Sequence, residues 1–291
     1  MKTVLACCLL AIAAAGVLIC LMPGRRPSWK RDWGLVGSLG AIVVLGAFIF
    51  FDILEDLVET RPAQTADLMT FAAMARLRNP TLDMVMTTVT EFGDAIVVAA
   101  VALGVAVWMA HVHAWRALRY WIAAIVGAAL INTAIKVALH RPRPTDLYHH
   151  GWDAFSFPSG HSTSNVVLYG FLAVLLIRQT KPVPALAIAL GSAMLVAVIG
   201  FSRLYLGAHW LSDVAGGLAF GMAWIAGLHL LYIRKQPDGL RAGTLAILAF
   251  SVLVVAGGLN VAVNQGKDLK LYRSNAYAAH PAAGQTPAEV K

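Results

Sequence analysis

Eight long apolar runs divide this chain, and they leave few architectures open to it. They lie near 4–22, 33–54, 94–110, 119–139, 162–177, 184–201, 211–233 and 243–263. A helix needs about 20 apolar residues to cross the hydrocarbon layer of a bilayer. Within that layer every backbone N–H and C=O must find its partner inside the chain. About eight such runs predict an all-α, polytopic membrane helix bundle. Composition agrees: 59% of the 291 residues are hydrophobic and 13% are charged, against about 25% charged in a soluble domain. The mean hydropathy is +0.70. The net charge of +8 sits mostly in short gaps between the runs, the pattern of membrane topology and anionic headgroups rather than of nucleic-acid binding.

The gaps also orient the bundle. Arg25, Arg26, Lys30 and Arg31 separate the first two runs, and Arg116 and Arg119 border the third and fourth. Arg178 and Lys181 follow the fifth, and Arg234, Lys235 and Arg241 follow the seventh. Alternating spans put these gaps on one side, which the positive-inside rule makes cytoplasmic. The gaps 55–90, 141–161 and 202–209 and the tail after Asn264 then fall on the outer side. Arg61, Arg76, Arg78, Arg141, Arg143 and Arg203 lie on that outer side as well, so some of them need a reason other than topology.

The first run is read as a retained span and not a signal peptide. Its stronger positive cluster follows the apolar stretch, and no small-residue cleavage site precedes that cluster. Cys7, Cys8 and Cys20 all lie inside it and read as apolar filler. In the gap 55–90, Leu68, Phe71, Ala72 and Ala75 recur at helical spacing, which fits a helix lying on the membrane or a soluble connecting helix. Glu55, Asp56 and Glu59 read as a solvated face. The tail after Asn264, rich in Ala, Pro, Gln and Asn, is expected to be poorly ordered.

Three stretches concentrate ionisable groups at the outer ends of apolar spans: Lys136–Pro144 (KVALHRPRP), Phe157–His161 (FPSGH) and Ser202–Asp213 (SRLYLGAHWLSD). Such groups are costly at membrane depth and point to function. Lys136, Arg143 and Arg203 are fixed positive charges with no acidic run beside them in the sequence, and a dianionic phosphate suits all three. Ser159 and Gly160 precede an apolar helix, whose first-turn amides favour an anion. Gly160 also permits close backbone approach. His209 and Asp213 are four residues apart and share a helix face. A carboxylate on one imidazole nitrogen sets the tautomer and leaves the other nitrogen to attack. His161 is then available as the general acid, and the three cations supply the electrostatic stabilisation that a metal gives elsewhere. His111 and His113 fall on the cytoplasmic side; His140, His149 and His150 read as loop or headgroup-contact residues.

These stretches resemble the signature of the type 2 phosphatidic acid phosphatase (PAP2) superfamily, K-x6-RP, PSGH and SR-x5-H-x3-D. Lys136, Arg143 and Pro144 match the first motif, the six-residue spacing selecting Arg143 over Arg141. Pro158, Ser159, Gly160 and His161 match the second, and Ser202, Arg203, His209 and Asp213 the third. The resemblance implies a six-helix core over 33–233, with an extra span and basic loop at 1–32 and an extra span and polar tail at 234–291. It implies a phospho-histidine on His209, His161 as general acid, and Asp213 orienting His209. Lys136, Arg143, Ser159, Gly160 and Arg203 would hold the phosphate, with no metal and no cofactor. The implied partner is a lipid phosphate in a bacterial inner membrane, reached from the periplasmic side.

Polyprenyl pyrophosphate leads phosphatidylglycerol phosphate and phosphatidic acid as candidate substrate, because an outward-facing site suits recycling of a carrier lipid. A lipid-to-lipid phosphotransferase acting on lipid A or a related glycolipid is the alternative. A vanadium haloperoxidase and a non-catalytic lipid-binding protein stand behind it.

Overall fold

The computed structural model describes residues 33–59, 63–145, 154–233 and 240–279. The first apolar run, its cysteines, His149 and His150 lie outside these residues. Among the described residues there are nine helices and no strand. They are α1 (Trp33–Val58), α2 (Ala63–Leu77), α3 (Pro80–Glu91), α4 (Ala95–His111), α5 (Trp115–Leu139), α6 (Gly160–Ile177), α7 (Pro182–Tyr205), α8 (Leu211–Tyr232) and α9 (Ala242–Ala279). Among the described residues, seven helical segments are long and apolar enough to cross a membrane, with α3 and α4 running together as one. The chain is an all-α bundle of membrane-spanning helices, and each apolar run from 33–54 onward coincides with one of them.

The helix starts follow local chemistry. Asp94 caps α4 by accepting from the Ile96 N–H at 2.9 Å, and Ser159 caps α6 by accepting from the Ser162 N–H at 3.3 Å. Pro182 opens α7, where its missing N–H costs nothing. The helix α3 was not expected within the gap 55–90. Its signal is nevertheless in the sequence: Asn79 accepts from the Leu82 N–H at 2.9 Å and Pro80 takes the first helical position.

Helix α6 has the lowest mean hydropathy of the seven segments, 1.4, yet it lies at the centre of the bundle. Twelve of its eighteen residues are buried, including Ser162, Thr163 and Asn165. Polar residues are tolerated there because protein, not lipid, surrounds them. Asn165 Nδ2, for example, donates to the Gly93 carbonyl at 2.9 Å and the His161 carbonyl at 2.8 Å. Helices α7 and α8 flank α6, α1 lies along α8, and α9 packs on α4 and α3. Indole N–H groups join neighbours: Trp121 donates to the Ala102 carbonyl at 2.9 Å and Trp224 to the Ala124 carbonyl at 3.1 Å. At one end of the bundle Arg116 and Arg178 both stack on Tyr232, at 4.4 and 5.0 Å. The chemistry-bearing stretches gather at the other end.

Two expectations are corrected. The tail after Asn264 is not loose over its first part, because α9 continues to Ala279; residues 280–291 lie outside the described ones. Helix α2 does turn one side inward, but through Asp67, Phe71 and Met74, while Leu68 and Ala72 are exposed. The inward side is chosen by what it meets: Phe71 packs on Trp210, ring centroids 5.8 Å apart, and Asp67 reaches two partners in the site.

Apolar burial cannot hold helices together in lipid, so close approach at small residues matters more. At Gly217 a Cβ would lie 2.9 Å from the Ser159 carbonyl and 3.0 Å from Thr163 Oγ1, where α8 crosses the start of α6. At Gly227, on the same helix, it would meet nothing within 4 Å. Gly217→Ala is therefore expected to cost about 1–3 kcal/mol by overpacking, whereas Gly227→Ala is neutral or stabilising. Melting of the two detergent-solubilised variants decides this, and equal behaviour would refute the close crossing.

Candidate active site

The last turn of α5 carries Lys136, and the chain then leaves the helix through His140, which adopts a left-handed conformation at φ 48. Arg141 and Arg143 each precede a proline, which keeps them out of the helical region. The two guanidiniums take different partners. Arg143 Nη1 donates to the Ala208 carbonyl at 2.8 Å and lies 3.0 Å from His209 Nε2. Arg141 Nη1 lies 2.5 Å from Asp213 Oδ1, and its Nη2 lies 2.6 Å from Asp67 Oδ2.

His209 comes from the turn between α7 and α8. Gly207 makes that turn with φ +68, a conformation that favours glycine, and Thr145 Oγ1 donates to its carbonyl at 3.0 Å. The His209 ring then stands between two partners, with Nδ1 3.4 Å from Asp213 Oδ2 and Nε2 on the Arg143 side. A contact of 3.4 Å is long for a hydrogen bond. Asp213 is fully buried. Its Oδ2 also accepts from the Trp210 N–H at 2.9 Å, and its Oδ1 from Ser156 Oγ at 3.3 Å.

The start of α6 faces this turn. The Ser159 N–H donates to the Asp213 carbonyl at 3.0 Å, which ties the two helix starts together. A Cβ on Gly160 would come no nearer than 3.9 Å to Asn132 and 4.0 Å to Lys136. The space beside it is therefore part of the cavity and is not filled by packing. Lys136 Nζ donates to the Phe155 carbonyl at 2.9 Å. Arg203, in the last turn of α7, is 1% exposed, and its Nη1 donates to Thr90 Oγ1 at 2.8 Å and Tyr272 Oη at 2.9 Å.

Lys136, Arg143, Gly160, His161, Arg203 and His209 all line one cavity of about 440 Å³. Of the residues expected from sequence, Ser159 and Asp213 do not reach its wall. Ser159 turns its hydroxyl to the Ser162 N–H and hydroxyl, and Asp213 lies behind His209. The remaining wall is mostly small and apolar: Ala95, Val98 and Ala99 of α4 face Ile125, Ala128 and Ala129 of α5. Ala95, Ala99 and Ala129 are exposed, so this limb of the cavity opens on the side of the bundle between α4 and α5.

Burial holds the His209 imidazole well below the usual 6.5, and Arg143, Arg203, Lys136 and His161 push it the same way. The neutral ring is thus the form favoured near pH 7, with Nδ1 toward Asp213 and the Nε2 lone pair toward the Arg143 guanidinium. His140 packs edge-on to Phe155 at 4.4 Å, and His111 and His113 are exposed at the far end of the bundle.

Sequence reasoning missed Arg141 and Asp67. Spacing set Arg141 aside in favour of Arg143, and an acid on a connecting helix is ordinarily solvated. Asp67 is instead buried; its Oδ1 accepts from the Ser212 N–H at 2.8 Å and its Oδ2 from Ser212 Oγ at 2.7 Å. Asp67 and Arg141 thereby brace Asp213 from behind. Removing one partner of such a buried group costs several kcal/mol, on the order of 3–5. Asp67→Asn should accordingly lower both melting temperature and turnover, and a variant unchanged in both would show that the brace is incidental. In NMR spectra of ring-labelled histidine, the resonance missing from His209→Asn should titrate below 6.5 in ligand-free protein. Titration at or above 6.5 would contradict the cationic, buried site.

Comparison with known proteins gives the family and the fold. The family model described as the PAP2 superfamily matches residues 117–237. Phosphatidylglycerophosphatase B of Bacillus subtilis (strain 168) is 31% identical over 185 residues, which cover 60% of this chain and 87% of that protein. Lipid A 1-phosphatase of Rhizobium johnstonii is 35% identical over 141 residues, covering 41% of this chain and 54% of that one. The crystal structure of a transmembrane PAP2-type phosphatidylglycerolphosphate phosphatase from Bacillus subtilis has the same fold. It matches at a TM-score of 0.57 and 24% identity, covering 66% of this chain and 97% of its own. With the motif residues assembled around one cavity, the chain belongs to the PAP2 superfamily and is a membrane phosphatase.

Proposed function

We propose that this protein removes a phosphate group from a membrane lipid through a covalent phospho-histidine on His209, without a metal ion. The observation that carries the reading is the position of His209 Nε2, 3.0 Å from Arg143 and on the wall of a cavity that Lys136, Arg203 and His161 share. A phosphate bound among the three cations presents its phosphorus to Nε2. As the N–P bond forms and the P–O bond to the lipid breaks, the charge on the phosphoryl oxygens faces Lys136, Arg143 and Arg203. His161 gives its proton to the leaving oxygen. Asp213 stabilises the imidazolium-like His209 through Nδ1. Water then attacks the phosphorus, with His161 taking a proton from it, and the N–P bond breaks to release phosphate and restore His209. Ser159 contributes by capping α6, whose first-turn amides favour the anion.

The apolar limb between α4 and α5 favours a lipid over a soluble ester. Its small side chains leave a channel from the cations to the side of the bundle, where an acyl or prenyl chain would remain in the bilayer. Phosphatidylglycerol phosphate leads as substrate, because the relative named for that reaction is matched over 87% of its length; polyprenyl pyrophosphate and phosphatidic acid follow. The basic gaps support a cytoplasmic opposite end of the bundle, which favours a site open to the periplasmic side of a bacterial inner membrane.

Phosphate release by detergent-purified protein in EDTA, with the three lipids offered side by side, tests the reading. Release is expected in EDTA and should be lost in His209→Ala. Asp213→Asn should slow it about 10²–10⁴-fold, since the ring then loses its tautomeric guide, and vanadate should compete with substrate. Release that requires a divalent cation, or that survives His209→Ala, would sink the mechanism. Release that requires a second lipid as acceptor would identify a phosphotransferase using the same intermediate.

A further inference from the structure

The region read from sequence as an extra C-terminal span reaches the phosphate site. Helix α9 is 38 residues long, about 57 Å at 1.5 Å per residue, nearly twice the thickness of a bilayer's hydrocarbon layer. Its apolar part packs against α4, but from Asn260 onward one side turns polar at every fourth residue: Asn260, Asn264, Asp268 and Tyr272. That stripe meets the end of α3. Asn260 Nδ2 donates to Glu91 Oε2 at 2.6 Å, and Asn264 Nδ2 donates to Asn260 Oδ1 at 2.8 Å. Beside the stripe, Gln265 Nε2 donates to Thr88 Oγ1 at 2.5 Å. Buried polar contacts of this kind are expensive in an apolar setting unless they hold something in place.

The stripe ends at Arg203. Tyr272 is 3% exposed and Thr90 2%, and both accept from the same Nη1 of Arg203, at 2.9 and 2.8 Å. The Tyr272 ring also lies 6.0 Å from the guanidinium carbon. Tyr272 is itself anchored, because Arg78 Nη2 donates to its carbonyl at 3.2 Å and Tyr205 packs in the same cluster. Both residues holding Arg203 lie outside the segment 117–237 that the PAP2 family model matches.

We propose that Tyr272 is a positioning residue for phosphoryl transfer: with Thr90, its hydroxyl fixes the Arg203 guanidinium in the plane that meets the phosphate. A guanidinium recognises phosphate oxygens through a planar fork, so its orientation matters as well as its charge. Two acceptors on one terminal nitrogen restrict the orientation of the Arg203 guanidinium. Holding one nitrogen from behind leaves the fork oriented before substrate arrives, and no reorganisation is needed in the transition state. Helix α9 therefore completes the site and is not an appended anchor.

This inference rests on the phosphatase reading of the site, and the test separates the two. Tyr272→Phe keeps the ring and removes only the hydroxyl. Loss of one charge-assisted hydrogen bond of about 1.5 kcal/mol corresponds to about tenfold in rate. Expected is a roughly tenfold fall in kcat with KM for the lipid changed less than twofold, a similar rise in the vanadate inhibition constant, and an unchanged melting temperature. Thr90→Val should act in the same direction from the other side of Nη1. In an Arg203→Ala background, Tyr272→Phe should produce no further change in vanadate binding, because the group it positions is gone. Wild-type kinetics in Tyr272→Phe, or a loss that persists undiminished in Arg203→Ala, would overturn the assignment while leaving the phosphatase reading intact. Wild-type protein that neither releases phosphate nor binds vanadate would overturn both.

Discussion

The buried carboxylate of Asp213 is the interaction around which the end of this bundle is organised. A fully buried carboxylate is tolerable only when each oxygen is met by donors or opposite charge. Here Oδ1 receives Arg141 and Ser156, and Oδ2 receives the Trp210 N–H and His209. Those partners come from three separate stretches of chain. Satisfying one carboxylate thereby draws together the exit of α5, the loop before α6 and the turn before α8. Asp67 extends the set to α2, so a helix outside the spanning core is tied to the residues that hold His209.

The same economy governs the positive charges. Arg141 serves Asp213 and Asp67, and its charge is consumed in structure. Lys136, Arg143 and Arg203 hold neutral acceptors among their partners, namely the Phe155 and Ala208 carbonyls, Thr90 and Tyr272. Their charges are thus arranged around the cavity without one of those contacts cancelling them. Burial keeps His209 neutral, and this concentration of charge acts in the same direction. In the proposed reaction, cations that would be an electrostatic liability beside an imidazolium would become a benefit with a phosphate dianion between them and the ring.

The bundle reconciles this polar end with lipid by nesting it. Helix α6 carries Ser159, Gly160 and His161 at its start and is the most enclosed of the spans, so its modest hydropathy is not exposed to the bilayer. Helices α4 and α9 carry exposed apolar residues outward, such as Leu103, Ile247 and Val263, while α9 turns its polar stripe inward against Glu91 and Arg203. A spanning helix in this protein can therefore be polar along one line provided that line faces protein.

The periodicity and length of the apolar runs determined that the chain is a helical membrane bundle, because lipid leaves the backbone no other way to pair its polar groups. The motif spacings pointed to the residues that gather at this end: Asp213 in the first turn of α8 reaches back to His209 in the turn before it, rather than sharing a helix face with it, and the separation of Lys136 from Arg143 brings both to one helix end. These are local rules of chain geometry, readable without knowing what packs against what. Tertiary structure alone decided the rest. Arg141 and Asp67 are ordinary surface residues until α2 folds over the turn, and Leu68 was as good a candidate as Phe71 for its inward side. The polar stretch after Asn264 reads as a loose tail because its partners, Glu91 and Arg203, lie far away in sequence. Hydrogen bonds between distant segments leave no periodic trace in either segment, and only the folded arrangement shows that the last helix reaches the site.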